Sequence, residues 1–156
     1  MITCEFENGN KASLRHAVVD MLIIKDNQIL LVKRALHLTN PNKFALVGGF
    51  VDRGETTAQA ATREALEETG YQTEVKALFR IIDNPNRAQE DRQNISFVYI
   101  MKPLKKVGVP DQEVKEANWF YLDKLPKKEE FAFDHYDSVE LYLKYISEPF
   151  PLPQLG

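Results

Sequence analysis

Three carboxylates, Glu64, Glu67 and Glu68, lie close together in the run VGGFVDRGETTAQAATREALEETGY, Val47–Tyr71. On a helix of 3.6 residues per turn they share one side. Glu64 and Glu68 are then like charges at i,i+4, which weakens a bare helix by about 0.2–0.5 kcal/mol. A hard divalent cation reverses that penalty. Mg²⁺ or Mn²⁺ takes carboxylate oxygens and keeps sites for phosphate and water. The plain alternative is a solvated acidic face. Gly48 and Gly49 ahead of the helix favour the cation, because backbone without a Cβ approaches a neighbouring group closely and can offer it a carbonyl. Glu55 and Arg63 offer an ion pair that would tie the intervening loop to the helix.

The elements that must position these groups are legible nearby. Thr56 with Gln59 three residues on reads as a capping box. Gly70 stands where a left-handed residue would stop the helix. Ala58, Ala61, Ala65 and Thr69 form a small-residue side, with Leu66 at its margin, that can press closely on a sheet. His16–Ile24 and Gln28–Lys33 are apolar runs around a turn-like Lys25-Asp26-Asn27, which predicts a hairpin. Asp20 interrupts the first run and faces either solvent or a ligand cleft. Gln72–Asp83 and Asn94–Lys102 read as strands, separated by the turn-rich segment 84–92. Pro103–Lys115 reads as a loop and Asn118–Tyr121 as a short strand. Pro126–Phe133 is irregular. Asp134 then reads as the N-cap of a helix over His135–Ser147, with Asp137 favourable at its start. Strands flanked by two helices predict an α/β fold, an α/β/α sandwich with a mixed central sheet. A single domain is expected over residues 1–148. The proline-rich tail 149–156 is either laid on the surface or an arm for a partner. Residues 1–13 read as an extra edge strand or a dimer arm.

The chain has 156 residues, enough for one domain with a substantial core. Net charge is −3, so no broad cationic surface for nucleic acid is implied. Cys4 is the lone cysteine, which excludes a disulfide framework and a thiolate zinc cluster. No apolar stretch reaches the ~18 residues of a membrane span. No signal-peptide pattern opens the chain, so the cytoplasm is the expected location.

The run from Gly49 to Tyr71 resembles the signature of the Nudix hydrolases, G-x5-E-x7-R-E-U-x-E-E-x-G-U, where U is bulky and apolar. Gly49, Glu55, Arg63, Glu64, Glu67, Glu68, Gly70 and Tyr71 fill its fixed positions. Ala65 departs from it, being smaller than the usual first U. The resemblance implies hydrolysis of a pyrophosphate joined to a nucleoside, with divalent cations and water. It implies Glu67 and Glu68 as metal ligands, joined by the Gly48 carbonyl, with Glu64 assisting the metals or orienting the water. It makes Gly49, Glu55, Arg63 and Gly70 structural. The physical need is clear: carboxylates alone repel a diphosphate, and metal ions bridge the two while lowering the pKa of a bound water.

The general base is left open among Glu90, Asp91, Glu113 and Glu116, with Glu116 preferred. The segments ALVGGFVDRGET, DNPNR with RQNISFVYI, and FAFDHYDSV are similar to the ADP-ribose pyrophosphatase branch. They also resemble the Nudix domain joined to nicotinamide mononucleotide adenylyltransferase in some bacteria. That implies ADP-ribose as substrate, AMP and ribose 5-phosphate as products, and a homodimer. Arg34, Arg87 and Arg92 are candidates for the phosphates. Phe50 is a candidate for stacking on adenine, and His135 for the substrate mouth. The competing readings are a nucleoside-triphosphate pyrophosphohydrolase, including oxidised nucleotides, and a sensor that binds a nucleotide without cleaving it.

Overall fold

Strand β3 (Ala17–Lys25) is the element from which the sheet is built. Its side chains alternate between two faces. Val19, Met21 and Ile23 enter one apolar cluster and Leu22 the other, and all four are fully buried. The computed structural model describes residues 2–87 and 92–156. Along one edge β3 pairs in parallel with β8 (Ile95–Lys106). Along the other it pairs antiparallel with the short β6 (Val47–Phe50). Beyond Lys25 the expected hairpin turns through Asp26 and Asn27, both at positive φ as a tight hairpin turn demands. Strand β4 (Gln28–Arg34) then diverges from β3 and pairs with β9 (Val114–Tyr121) and β5 (Phe44–Ala45). β7 (Tyr71–Ile82) runs antiparallel to β8 on the far side. The sheet is thus mixed.

Helix α1 (Thr57–Thr69) covers one face and α2 (His135–Ser147) the other, giving the expected α/β/α sandwich. The contact surface of α1 is made of small residues: Ala60, Ala61 and Ala65 are fully buried among Val19, Met21 and Val47. Leu66, read at the margin of that surface, is exposed instead. The opposite layer is aromatic, with Phe79 packed against Tyr142, Tyr145 and Phe150. Thr56 and Gln59 form the complete capping box.

Several boundaries differ from the sequence reading. β8 continues four residues beyond Lys102, to Lys106. Pro103 is accommodated because it falls opposite Thr73, where the β7–β8 register shifts, and a bulge tolerates the missing N–H. β9 begins at Val114 rather than Asn118. Its first half carries two consecutive exposed charges, Lys115 and Glu116, as edge strands commonly do. A single 3-10 turn, Lys128–Glu130, lies inside the irregular segment before α2. Asp134 precedes α2 as expected, but its side chain makes no cap hydrogen bond, because Arg87 holds the carboxylate.

Residues 2–14 form a separate hairpin of β1 (Ile2–Glu5) and β2 (Lys11–Leu14). The tail is laid on its own domain: Phe150 packs on Phe79 and Tyr145, and β10 (Gln154–Leu155) pairs in parallel with β7. No helix among the described residues is long and apolar enough to cross a membrane.

Gly70 closes α1 at φ 73°, and a Cβ there would lie 2.2 Å from the Gly108 carbonyl oxygen. Gly70→Ala is therefore expected to cost about 1–2 kcal/mol from the left-handed conformation alone, and more from the collision. Gly108→Ala meets nothing nearer than 3.6 Å and should cost no more than about 1 kcal/mol. Urea unfolding of the two variants checks the contrast.

Candidate active site

The site begins with one guanidinium. Arg63, on the outer side of α1, donates Nη2 to Glu55 Oε1 at 2.7 Å and to the Phe50 carbonyl at 2.9 Å. Its Nε reaches Glu55 Oε2 at 3.2 Å, so the Glu55 carboxylate is held by a fork. Nη1 reaches Glu64 at 2.7 Å and Glu67 at 3.0 Å. The expected tie between loop and helix is present, and the same cation gathers two of the three helix carboxylates. Hydrogen bonding to Arg63 holds the Glu55 carboxyl below its ordinary pKa, and Glu55 in turn raises that of Arg63.

The third carboxylate is placed differently. Glu68 is 7% exposed, and its Oε2 accepts the Gly48 N–H at 2.9 Å. Burial pushes its pKa well above the usual carboxylate range, against the pull of that N–H. Glu64 is also raised by burial, in spite of Arg63. Both glycines of the pair are required by space. A Cβ on Gly48 would lie 2.2 Å from the Val19 carbonyl oxygen, and one on Gly49 would overlap the Glu64 carboxylate at 2.3 Å. The loop after β8 is strapped to the end of α1 by backbone bonds, Gly108 N–H to the Gly70 carbonyl and Asp111 N–H to the Glu67 carbonyl. This strap brings Asp111 and Glu113 toward the helix acids.

A cavity of about 550 Å³ opens between these elements. Asp20, Asp52, Glu64, Glu67, Asp111 and Glu113 are the acids on its wall. The wall also carries cations and rings. Arg34 lies 5.1 Å over the Phe133 ring, and Arg92 lies 5.6 Å over the Phe50 ring, both cation–π distances. Burial lowers the Arg34 pKa, with Glu68, Glu113 and Asp20 opposing. Phe133 has φ 53°, an unusual conformation for a bulky residue and a local strain of the kind that gathers at functional sites.

Of the candidate residues, Arg34, Gly48, Gly49, Phe50, Arg63, Glu64, Glu67, Arg87, Arg92 and His135 all line this cavity. Glu68 lies behind the wall, against Gly48. Glu116 is elsewhere: it sits on β9, paired with Lys33 at 3.2 Å and accepting from Asn118 at 3.0 Å. Asn118 and then Lys33 hold its pKa down. Glu116 therefore does not line the cavity, whereas Glu113, another of the candidate bases, does. Glu90 and Asp91 lie outside the described residues. Arg87, a candidate for the phosphates, lines the cavity while its Nε and Nη2 clasp Asp134, with Nε to Oδ2 at 2.9 Å. Burial would raise the Asp134 pKa, but Arg87 brings it below its ordinary value. Asp20 faces the cavity wall, not bulk solvent. Phe133 belongs to the segment Phe133-Asp134-His135 expected at the substrate mouth, and it lines the cavity; Asp111 was missed and carries no signal in spacing or composition.

Glu64, Glu67, Glu68 and the Gly48 carbonyl are all hard oxygen donors, the chemistry that suits Mg²⁺ or Mn²⁺. No group of three His, Cys, Asp or Glu among the described residues is gathered tightly enough to hold a metal. Arg63 and the Gly48 N–H engage the oxygens instead, and the two burial-raised acids are those a divalent cation would draw down.

The chain matches the NUDIX domain model over residues 14–142 and belongs to the Nudix family, as a pyrophosphatase-type hydrolase. It is similar to the ADP-ribose pyrophosphatase of Methanocaldococcus jannaschii, with 41% identity over 129 residues, 81% of this chain and 72% of that protein. A NUDIX hydrolase from Nitrosomonas europaea superposes with a TM-score of 0.82 at 23% identity, covering 99% of this chain and 92% of that one, and shares the fold. A bifunctional NMN adenylyltransferase/ADP ribose pyrophosphatase from Francisella tularensis aligns over 85% of this chain and 43% of its own, with a TM-score of 0.64 at 26% identity.

The raised Glu68 pKa fixes a sign. The folded protein binds this proton more tightly than the unfolded chain, so the metal-free protein loses stability as pH rises from the ordinary carboxylate range toward the folded pKa. Glu68→Gln keeps an acceptor for the Gly48 N–H and removes that loss. At neutral pH without metal, its melting temperature should exceed the parent's by about 2–4 °C. Calorimetry across pH, with and without Mg²⁺, measures this. An unchanged pH slope in the variant would contradict the assignment.

Proposed function

We propose that this chain hydrolyses the phosphoric anhydride of a nucleoside diphosphate joined to a sugar, with ADP-ribose giving AMP and ribose 5-phosphate. The observation that carries this reading is that one cavity gathers the helix acids Glu64 and Glu67 with the cations Arg34 and Arg92 and the rings of Phe50 and Phe133. A diphosphate flanked by a sugar and a base matches that mixture of groups. The relative named for ADP-ribose, similar over most of both chains, supports it.

Glu67, Glu68 and the Gly48 carbonyl would hold Mg²⁺ or Mn²⁺, with Glu64 beside them. When bound, the metal supplies Lewis acidity and a water that loses its proton near neutral pH. The protein's own contribution is positional. Arg63 fixes the spread of the helix carboxylates against the loop. Arg34 and Arg92 supply positive charge toward the phosphates and are themselves oriented over Phe133 and Phe50. Phe50, 40% exposed at the cavity rim, offers a face to an adenine. Glu113 takes the proton of the attacking water. Its place on the cavity wall with Glu64 and Glu67 supports that role, and a base acts only within about 2.6–3.2 Å of its water. A homodimer in the cytoplasm belongs to the same proposal, two-fold dimers being the commonest assembly of soluble oligomers.

Two experiments test this. A panel of ADP-ribose, other nucleoside-diphosphate sugars and nucleoside triphosphates is assayed with Mg²⁺. AMP and ribose 5-phosphate are expected from ADP-ribose, whereas pyrophosphate released from triphosphates with ADP-ribose left intact would sink the reading. Glu113→Gln should then lower kcat by about 10²-fold or more, and Glu116→Gln should leave it within about twofold. Steady-state kinetics separate the two.

A further inference from the structure

Asp20 and Ser96 share the α2 side of the sheet, opposite one of the register positions where β3 meets β6. Ser96 Oγ donates to Asp20 Oδ2. The other carboxylate oxygen, Oδ1, lies 3.5 Å from His135 Nε2. His135 Nδ1 accepts the Leu46 N–H at 2.9 Å. An imidazole nitrogen that accepts a backbone N–H keeps its lone pair, so the proton resides on Nε2 and the ring is neutral. Burial, which lowers the His135 pKa, acts in the same direction. Ser96 is fully buried, Asp20 and His135 are each 7% exposed, and the latter two line the cavity.

A separation of 3.5 Å exceeds the usual 2.7–3.2 Å of an N–H···O bond. One acceptor, Asp20 Oδ1, and one donor, His135 Nε2–H, therefore stand side by side at the cavity wall, each fixed from behind and neither fully satisfied by the other. The chemistry that completes such a pair is a hydroxyl, which donates to the carboxylate and accepts from the imidazole. A phosphate oxygen is repelled by Asp20. A metal finds no free imidazole lone pair.

We propose that Asp20 and His135 read a ribose hydroxyl of the substrate and so select sugar-bearing diphosphates. This inference rests on the proposed ADP-ribose reading and names its recognition element. It gives the interruption of an apolar strand by one acid a role separate from that of the glutamate helix.

The test uses ADP-ribose and analogues lacking one hydroxyl, either on the adenosine ribose or on the terminal ribose. Affinities are measured by calorimetry with Mg²⁺ on the full chain carrying Glu68→Gln, with and without Asp20→Ala. One analogue should bind about tenfold or more weakly when Asp20 is present, and no more weakly than ADP-ribose when it is absent. Which analogue it is identifies the ribose. Equal affinity of all analogues with Asp20 present, or a penalty that persists in Asp20→Ala, overturns the inference. NMR of the His135 ring nitrogens needs no change at Asp20. The Nε2 signal should move with ADP-ribose and not with the discriminated analogue, and an unmoved signal also overturns it. Hydroxyl-selective binding alongside a parent chain that leaves ADP-ribose uncleaved would reject the hydrolase reading and keep this one. Cleavage without hydroxyl selectivity does the reverse, and absence of binding together with a parent chain that leaves ADP-ribose uncleaved rejects both.

Discussion

The geometry of the site depends on the fork between Arg63 and Glu55. Those two groups belong to different elements, one to the middle of a helix and one to the loop that precedes it. Once joined, the same guanidinium spans Glu64, Glu67 and the Phe50 carbonyl. Isolated surface ion pairs contribute about 0–1 kcal/mol. This one is different in kind, because a single planar cation meets several acceptors and fixes their mutual spacing. The acids are thereby spread along a rim instead of drifting with solvent.

The constraint extends inward through the glycines. Gly48 lets β6 lie against β3 closely enough for its N–H to reach Glu68, and Gly49 leaves the volume that the Glu64 carboxylate fills. The left-handed Gly70 ends the helix and also leaves room for the strap that carries Asp111 and Glu113. Three glycines thus serve three different spatial needs, and each need concerns the placement of a carboxylate.

Much of this was legible in the chain. The capping box, the alanine-rich helix face, the Arg63–Glu55 pair and the sandwich follow from local patterns that act over a few residues. What was not legible depended on partners far apart in sequence. Asp134 looks like a helix cap until Arg87, on another segment, takes its carboxylate. Glu116 and Glu113 look alike as candidate bases, and only the pairing of β9 with β4 sends one to an exposed edge while the strap brings the other to the cavity. The solvent-or-cleft choice at Asp20 could not be made from periodicity, since both faces of β3 are covered. Phe133 owes its place to a backbone conformation that sequence rules disfavour.

The two helical layers differ in how freely their sequences can drift. On the α1 side the helix meets the sheet through the methyl groups of Ala60, Ala61 and Ala65, so a larger side chain at Ala61 would press against that face. Overpacking of that sort costs about 1–3 kcal/mol. On the α2 side, Phe79, Tyr142, Tyr145 and Phe150 fill a thicker layer, where one large apolar group can replace another. Descendants of this chain can therefore remodel the aromatic layer gradually, while the fully buried Ala60 and Ala61 leave less room for a change in volume.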